Sequence, residues 1–158
     1  MSADKSKRRE PREFRNAKAG HDYFLEQRYE AGVMLVGTEI KAVRAGKVNL
    51  ADSFVRLDGG VPVLYHAHIS EYDFGNQNNH HPYRPRKLLL HQREIRKLVV
   101  ATQSGGYTII PARLYFKGAL AKIEIAVAKG KQHHDKRQDL KRRDAEREIR
   151  RAIRRDED

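Results

Sequence analysis

A mainly β fold is predicted by three features of the sequence: a small closed antiparallel barrel of OB-like type, with short flanking helices and a basic C-terminal tail. Apolar and polar residues alternate in several short runs, and a period of two marks half-buried strands. Tight turns at Asp58-Gly59-Gly60 and Lys117-Gly118 join those runs, which makes the joined strands antiparallel. The runs amount to about five or six strands, and closing them into a barrel removes the exposed sheet edges.

Residues 1–15 read as a basic disordered arm, with Lys5, Lys7, Arg8, Arg9, Arg12 and Arg15 against Asp4, Glu10 and Glu13, a composition too polar to pack. Residues 16–130 carry the barrel, and 131–158 form the tail. From His21 onward, Tyr23, Leu25, Tyr29, Ala31 and Val33 share one parity while Glu26, Arg28 and Glu30 share the other, which predicts a half-buried strand. Thr38 is the expected N-cap of a short helix, with Glu39 at its positive end, Ile40 and Val43 on one face, and Gly46 as the stop. Ser53 to Leu57 and Val61 to Ile69 flank Asp58-Gly59-Gly60, the pattern of a hairpin. On the second of these strands His66 and His68 are expected to share a face.

Tyr72 to Arg86 is polar and turn-rich, a loop long enough to be either functional or disordered. A second helix is predicted over Gln92 to Ser104, where Ile95, Leu98, Val99 and Thr102 mark one face and Gly105-Gly106 ends it. Tyr107 to Phe116 and Leu120 to Ala128 form a closing hairpin. Beyond Asp135 the residues favour helix, but the apolar stripe is only Leu140, Ala145, Ile149 and Ile153. Such a helix is marginal alone and is expected to order on a partner.

Lys and Arg outnumber Asp and Glu by 33 to 21, for a net charge of +12 and a pI near 10.1. A polyanion is the natural partner of such a chain, with nucleic acid ahead of membrane. No apolar run is long enough to span a bilayer and residues 1–20 lack an apolar secretory core, so the expected location is the cytoplasm, with no membrane partner. The chain has no cysteine, which excludes disulfides, thiol nucleophiles and cysteine zinc sites.

Catalysis finds no support. Gly32 to Thr38 has the glycine spacing of a phosphate loop, but Thr38 stands where a lysine must reach the phosphates. The pairs His66/His68, His80-His81 and His133-His134 lack a third ligand at a recognisable spacing, so no metal or other cofactor is expected. No serine sits in a nucleophile elbow, and no acid/base carboxylate pair is readable. Lys41, Arg44, Lys47, Arg84, Arg86 and Lys87 are interleaved with Tyr83 and the turn-rich loop, the mixture of cations and an aromatic that RNA-binding surfaces use.

Several ordered motifs then point to one family. They are Asn16 to Phe24, Tyr29-Glu30-Ala31-Gly32, Gly37 to Lys47, Arg86 to Leu90, Leu114-Tyr115-Phe116, Ala128 to Lys131, and His134-Asp135-Lys136-Arg137. In these motifs the chain resembles the small protein B family, the tmRNA-binding (SsrA-binding) proteins of bacteria, from about Asn16 into the tail. The resemblance implies a six-stranded antiparallel barrel of OB-like topology. It also implies binding to the tRNA-like domain of tmRNA and delivery of that RNA to stalled ribosomes for trans-translation, the rescue of the ribosome and tagging of its peptide. Alanyl-tRNA synthetase and elongation factor Tu act on the same RNA, and the protein is expected to be a monomer.

Residue by residue, Asn16, Glu30 and Leu89 match family positions associated with tmRNA binding. Lys18, Lys41, Arg44, Lys47 and Lys87 are added on physical grounds as phosphate contacts. Asp135, Lys136 and Arg137 match the tail motif needed after ribosome entry, and His134 matches a position associated with stacking on rRNA of the decoding centre. Lys136, Arg137, Lys141, Arg142 and Arg143 are expected to be drawn to the rRNA walls of the empty mRNA channel. The chain departs from the family at Gly130-Lys131-Gln132, where Gly-Lys-Lys is commoner, and at His91, which is Asn in some relatives.

Overall fold

The structure is a computed structural model and describes residues 13–157. Nine strands and four helices follow in the order β1 (Glu13–Arg15), α1 (Ala17–Asp22), β2 (Tyr23–Val33), α2 (Gly37–Arg44), β3 (Val48–Asn49), β4 (Phe54–Asp58), β5 (Val61–Tyr65), β6 (His68–Ile69), β7 (Arg86–Leu89), α3 (Gln92–Gln103), β8 (Tyr107–Lys117), β9 (Leu120–Gly130) and α4 (His133–Glu157). A 3-10 turn at Asn76–Asn78 interrupts the long loop between β6 and β7. The segment read as an arm lies outside the described residues up to position 12, and its last three residues form β1, paired with β8 through Phe14 and Leu114.

Six strands, β8, β4, β5, β7, β2 and β9, are hydrogen-bonded in that order, and β9 returns to β8, so an antiparallel ring closes. The inward positions follow the pleat: Ala31, Val55, Leu64, Leu88, Ile109, Leu114, Ile123, Ile125 and Val127 are buried in one core. Val43 of α2 and Leu98 of α3 are sealed into the same core. Each such aliphatic side chain contributes about 1.5–3 kcal/mol relative to exposure. The β4–β5 hairpin turns on Gly59 and Gly60, with φ of 57° and 82°. A two-residue hairpin turn of this hand needs positive φ at both positions, which glycine supplies without strain.

Two bulges make a second, smaller core on the outside. Between Leu25 and Arg28 the β2–β9 register slips by one residue, and between Pro111 and Arg113 the β8–β9 register does the same. A one-residue slip changes the face of every following side chain. Tyr23 and Leu25 therefore pack outside the ring with Ala19, Ile110 and Ala128, while Tyr29, Ala31 and Val33 pack inside it. The single alternation predicted from His21 to Val33 is thus split between two cores, and its first two residues belong to α1.

Three further expectations are corrected. Thr38 is not the N-cap: α2 starts at Gly37, the Val36 amide donates to Glu39 Oε1 at 3.0 Å, and the Thr38 hydroxyl instead meets His80 Nδ1 at 2.9 Å. The strand expected to run from Val61 to Ile69 ends at Tyr65 because His66 takes a left-handed φ of 61°. His66 then stacks on Phe54 while His68, on β6, meets the edge of Tyr83 at 4.9 Å, so the two histidines do not form a shared face. The tail, expected to be marginal as a helix without a partner, is helical over His133–Glu157.

Candidate nucleic-acid interface

Glu30 is positioned by β2, which turns it to the outer face opposite Glu124 of β9. Two like charges face each other there, and both are met by cations from neighbouring strands. Glu124 accepts from Arg28 Nη1 at 2.7 Å and from Arg113 Nε at 3.0 Å. Glu30 accepts from the Tyr115 hydroxyl and from Lys117 Nζ at 3.2 Å, both on β8. The Tyr115 hydrogen bond, followed by that of Lys117, holds the Glu30 carboxyl below its usual value. Burial, together with the bond to Glu30, pushes Tyr115 up to about 12, so it stays a donor at neutral pH.

Leu89 joins Glu30 across one strand step. Its residue pairs with Gly32, and a Cβ on Gly32 would meet Leu89 Cβ at 3.3 Å. Glycine lets β7 approach closely enough to present Leu89 beside Glu30, and Leu89 remains 60 % exposed. Glu30, Gly32, Leu89, Leu90, His91, Glu94 and Lys122 line one depression of about 330 Å³. Lys87 lies on the same exposed parity of β7 as Leu89.

Asn16 and Lys18 line a different cavity, of about 380 Å³, with Tyr23, Asp52, Phe54 and Thr108. Asn16 clamps the β8 bulge: its amide donates to Ala112 O at 2.8 Å and its Nδ2 to Pro111 O at 2.9 Å. Its Oδ1 is buried with no partner among the described residues. Lys18 Nζ is 3.2 Å from Asp52 Oδ1.

The cations of the first inserted helix form a third group. Lys41 Nζ sits 5.3 Å above the Tyr72 ring, Arg44 lies over Phe116, and Lys47 Nζ, just past the helix, pairs with Asp73 at 2.8 Å. The structure therefore brings Glu30 and Leu89 to one depression, with Lys87 two residues from Leu89 on the same exposed parity of β7, while Asn16 with Lys18 and Lys41 with Arg44 and Lys47 occupy two other places.

Arg86, grouped by the sequence with the surface cations, is fully buried. It donates to Glu39 Oε2, to Ala67 O and to Pro82 O, while Arg84 donates to Glu39 Oε1. Burial pushes the Glu39 carboxyl up, but the hydrogen bonds from Arg84, the Val36 amide and Arg86 outweigh it and leave it lowered. Arg86 holds together the neck of the long loop and is unavailable to a phosphate.

The tail helix begins against α1. Lys131 is only 4 % exposed at its side chain; it pairs with Asp139, donates to Gly20 O at 3.0 Å and lies over the Phe24 ring. Burial, then the charges of Arg143 and Arg142, lowers its pKa. Lys136 meets Asp22 at 3.3 Å, Arg143 donates to Gly20 O at 3.3 Å, and Arg142 reaches Asp139 at 3.4 Å. Asp135 is half-buried, Arg137 and Lys141 are exposed, and the side chains of His133 and His134 lie outside the described residues. Sequence reasoning missed Tyr115, Lys117 and Lys122 as neighbours of Glu30. Their alternating parity on β8 and β9 was readable, but which face met Glu30 was not.

Among the described residues no cluster of three histidine, aspartate or glutamate side chains could hold a metal ion. No helix among them is long and apolar enough to cross a membrane.

The SmpB protein family model matches residues 13–155. The SsrA-binding protein of Geobacillus kaustophilus is 57 % identical over 139 residues, covering 88 % of this chain and 90 % of the relative. That of Shouchella clausii is 56 % identical over 138 residues, covering 87 % and 88 %, and that of Bacillus subtilis is 52 % identical over 139 residues, covering 88 % and 89 %. A chain from the solved structure "tmRNA-SmpB: a journey to the center of the bacterial ribosome" is 38 % identical, with a TM-score of 0.67 over 82 % of this chain and 95 % of the other. A match of this extent, in sequence and in fold, makes the chain a member of the SmpB family.

Proposed function

We propose that this chain binds the tRNA-like domain of tmRNA and delivers it to stalled ribosomes for trans-translation, without itself being an enzyme. The observation that carries the reading is the shared depression lined by Glu30 and Leu89, with Lys87 on the same exposed parity of β7 as Leu89, in a chain of net charge +12. A carboxylate held ionised accepts hydrogen bonds from base or ribose, an exposed leucine packs against a sugar or base face, and the lysine takes phosphate. Membership of the SmpB family, with relatives named SsrA-binding proteins, supports the choice of RNA. Asn16, Lys18, Lys41, Arg44 and Lys47 extend the tmRNA surface. The ring of six strands supports an OB-like closed barrel over residues 16–130, between a basic arm (1–15) and the tail (131–158).

In the second half of this proposal the tail enters the empty mRNA channel. His134, Asp135, Lys136, Arg137, Lys141, Arg142 and Arg143 then meet rRNA of the decoding centre and channel, and message in the channel excludes them. Alanyl-tRNA synthetase and elongation factor Tu share the RNA, and the protein works as a cytoplasmic monomer. The test compares full-length protein with a truncation ending before Asp135 for binding to the tRNA-like domain over a salt series, and for peptide tagging in a reconstituted stalled translation system. Tight binding by both and tagging by the full-length protein alone is the expected result. Tagging by the truncation would overturn the role of the tail, and equal competition by an unrelated structured RNA would favour a general RNA-binding module.

A further inference from the structure

The loop between β6 and β7 is built to hold aromatic rings out in solvent. Asn79 ties its neck, with Oδ1 accepting from the Tyr72 amide at 2.9 Å and Nδ2 donating to Tyr72 O at 2.7 Å. Gly75 is required beside that bracket, since a Cβ there would lie 2.7 Å from Asn79 Nδ2. Buried His80 anchors the far side, with Nε2 donating to Ile69 O at 2.9 Å and Nδ1 hydrogen-bonded to Thr38 Oγ1. Ile69 in turn donates to Pro82 O at 3.0 Å. A segment this firmly braced nevertheless leaves Phe74 79 % exposed, the most exposed large apolar side chain among the described residues. Behind it stands Tyr72, edge-on at 5.5 Å, with Lys41 Nζ over the Tyr72 ring and Lys47 on neighbouring Asp73.

A loop hydrogen-bonded at its neck that holds two aromatic rings against each other at the surface offers a contact surface. The neighbours decide its use. A protein partner would call for aliphatic side chains around the ring; here its surroundings are a second aromatic under Lys41, the Lys47–Asp73 ion pair, whose lysine a phosphate would have to draw from its carboxylate, and the polar Asn79. A flat π surface with cations at its rim is the arrangement that takes an unstacked base and its flanking phosphates.

We propose that Phe74, backed by Tyr72, stacks on an unpaired base of the tmRNA tRNA-like domain while Lys41 and Lys47 engage the adjoining phosphates. This rests on the reading of the chain as a tmRNA-binding protein and adds to it a contact outside the Glu30 and Leu89 region. Stacking and charge leave different signatures. Phosphate contacts steepen the fall of affinity with salt, whereas base stacking on an aromatic ring scarcely depends on it.

The experiment uses full-length protein and a transcript of the tRNA-like domain carrying 2-aminopurine, one position at a time, at its unpaired loop positions. Wild-type protein should quench or otherwise shift the emission of at least one probe. Phe74→Ala should abolish that change and weaken binding by about 5- to 100-fold with the slope against salt unchanged. Phe74→Tyr should keep both, and Lys41→Ala should flatten the slope. If Phe74→Ala matches wild type in affinity and emission while wild type binds tightly, the stacking proposal is overturned and the tmRNA reading stands. Failure of wild type to bind the transcript would overturn both.

Discussion

Glu39 has no access to water and faces two arginines, of which Arg86 is fully buried. Removing its charge strands Arg86 in the interior, so Glu39→Gln should destabilise the protein by about 3–5 kcal/mol in urea denaturation. The pH dependence has a definite sign. A carboxyl lowered in the folded state contributes fully above its usual value of 4.5, and that contribution fades as pH falls through the folded value. The melting temperature of wild type should therefore drop on the acid side of about pH 4.5, and that acid limb should be shallower in Glu39→Gln. Tyr115 offers a second test, since its hydroxyl is the first cause of the low Glu30 value. Tyr115→Phe should move the Glu30 carboxyl back toward 4.5 in an NMR titration and weaken RNA binding several-fold, with only a small change in stability. Neither role is visible in the chain read alone. Glu39 looks like an ordinary first-turn carboxylate, and its partners arrive 45 and 47 residues later in the chain. Tyr115 comes 85 residues after Glu30.

At the scale of elements the hydrophobic period was a reliable guide wherever a strand stayed on one face. The closing hairpin and the second inserted helix fall within two residues of their expected limits, because Gly118 and the run Ile95, Leu98, Val99 leave little choice. It failed where backbone geometry changed without any change of pattern. The short helix α1 went unread, its last two residues absorbed into the strand expected from His21, and the bulge at Pro111 has no signature beyond the proline itself. Asn16 explains why that bulge is stable, since it takes up the Pro111 and Ala112 carbonyls that the slipped register frees. Asn16→Ala should therefore cost about 1 kcal/mol and speed amide exchange in α1 before any effect on RNA is considered. Measuring both properties on the same variant separates its packing role from its binding role.

For the whole molecule, charge told the most about the class of partner and the least about geometry. A chain of net charge +12 seeks a polyanion, yet six cations that look alike in sequence divide sharply: Arg86 and Arg84 bind Glu39, while Lys41, Arg44, Lys47 and Lys87 remain at the surface. The resemblance grouped Glu30, Leu89 and Asn16 as tmRNA contacts, and only the closed ring reveals that Asn16 lines a different cavity from the other two. The tail is joined to the ring through Lys131, whose amine reaches both Asp139 and Gly20 O. Lys131→Ala should accelerate amide exchange over the first turns of α4 while leaving the ring's exchange unchanged. From Asp144 to Glu157 the helix runs on for roughly 20 Å at about 1.5 Å per residue, with its side chains exposed wherever they are described. Because each residue also turns a helix by about 100°, the contacts that seat its first turns on α1, Lys136 on Asp22 and Arg143 on Gly20 O, set the compass bearing of every arginine beyond them. Inserting a single alanine after Asp144, past those contacts, would keep all of the tail's charge and nearly all of its reach, yet swing Arg147, Arg150 and Arg151 to another quadrant, so a lever of unchanged length would point the wrong way.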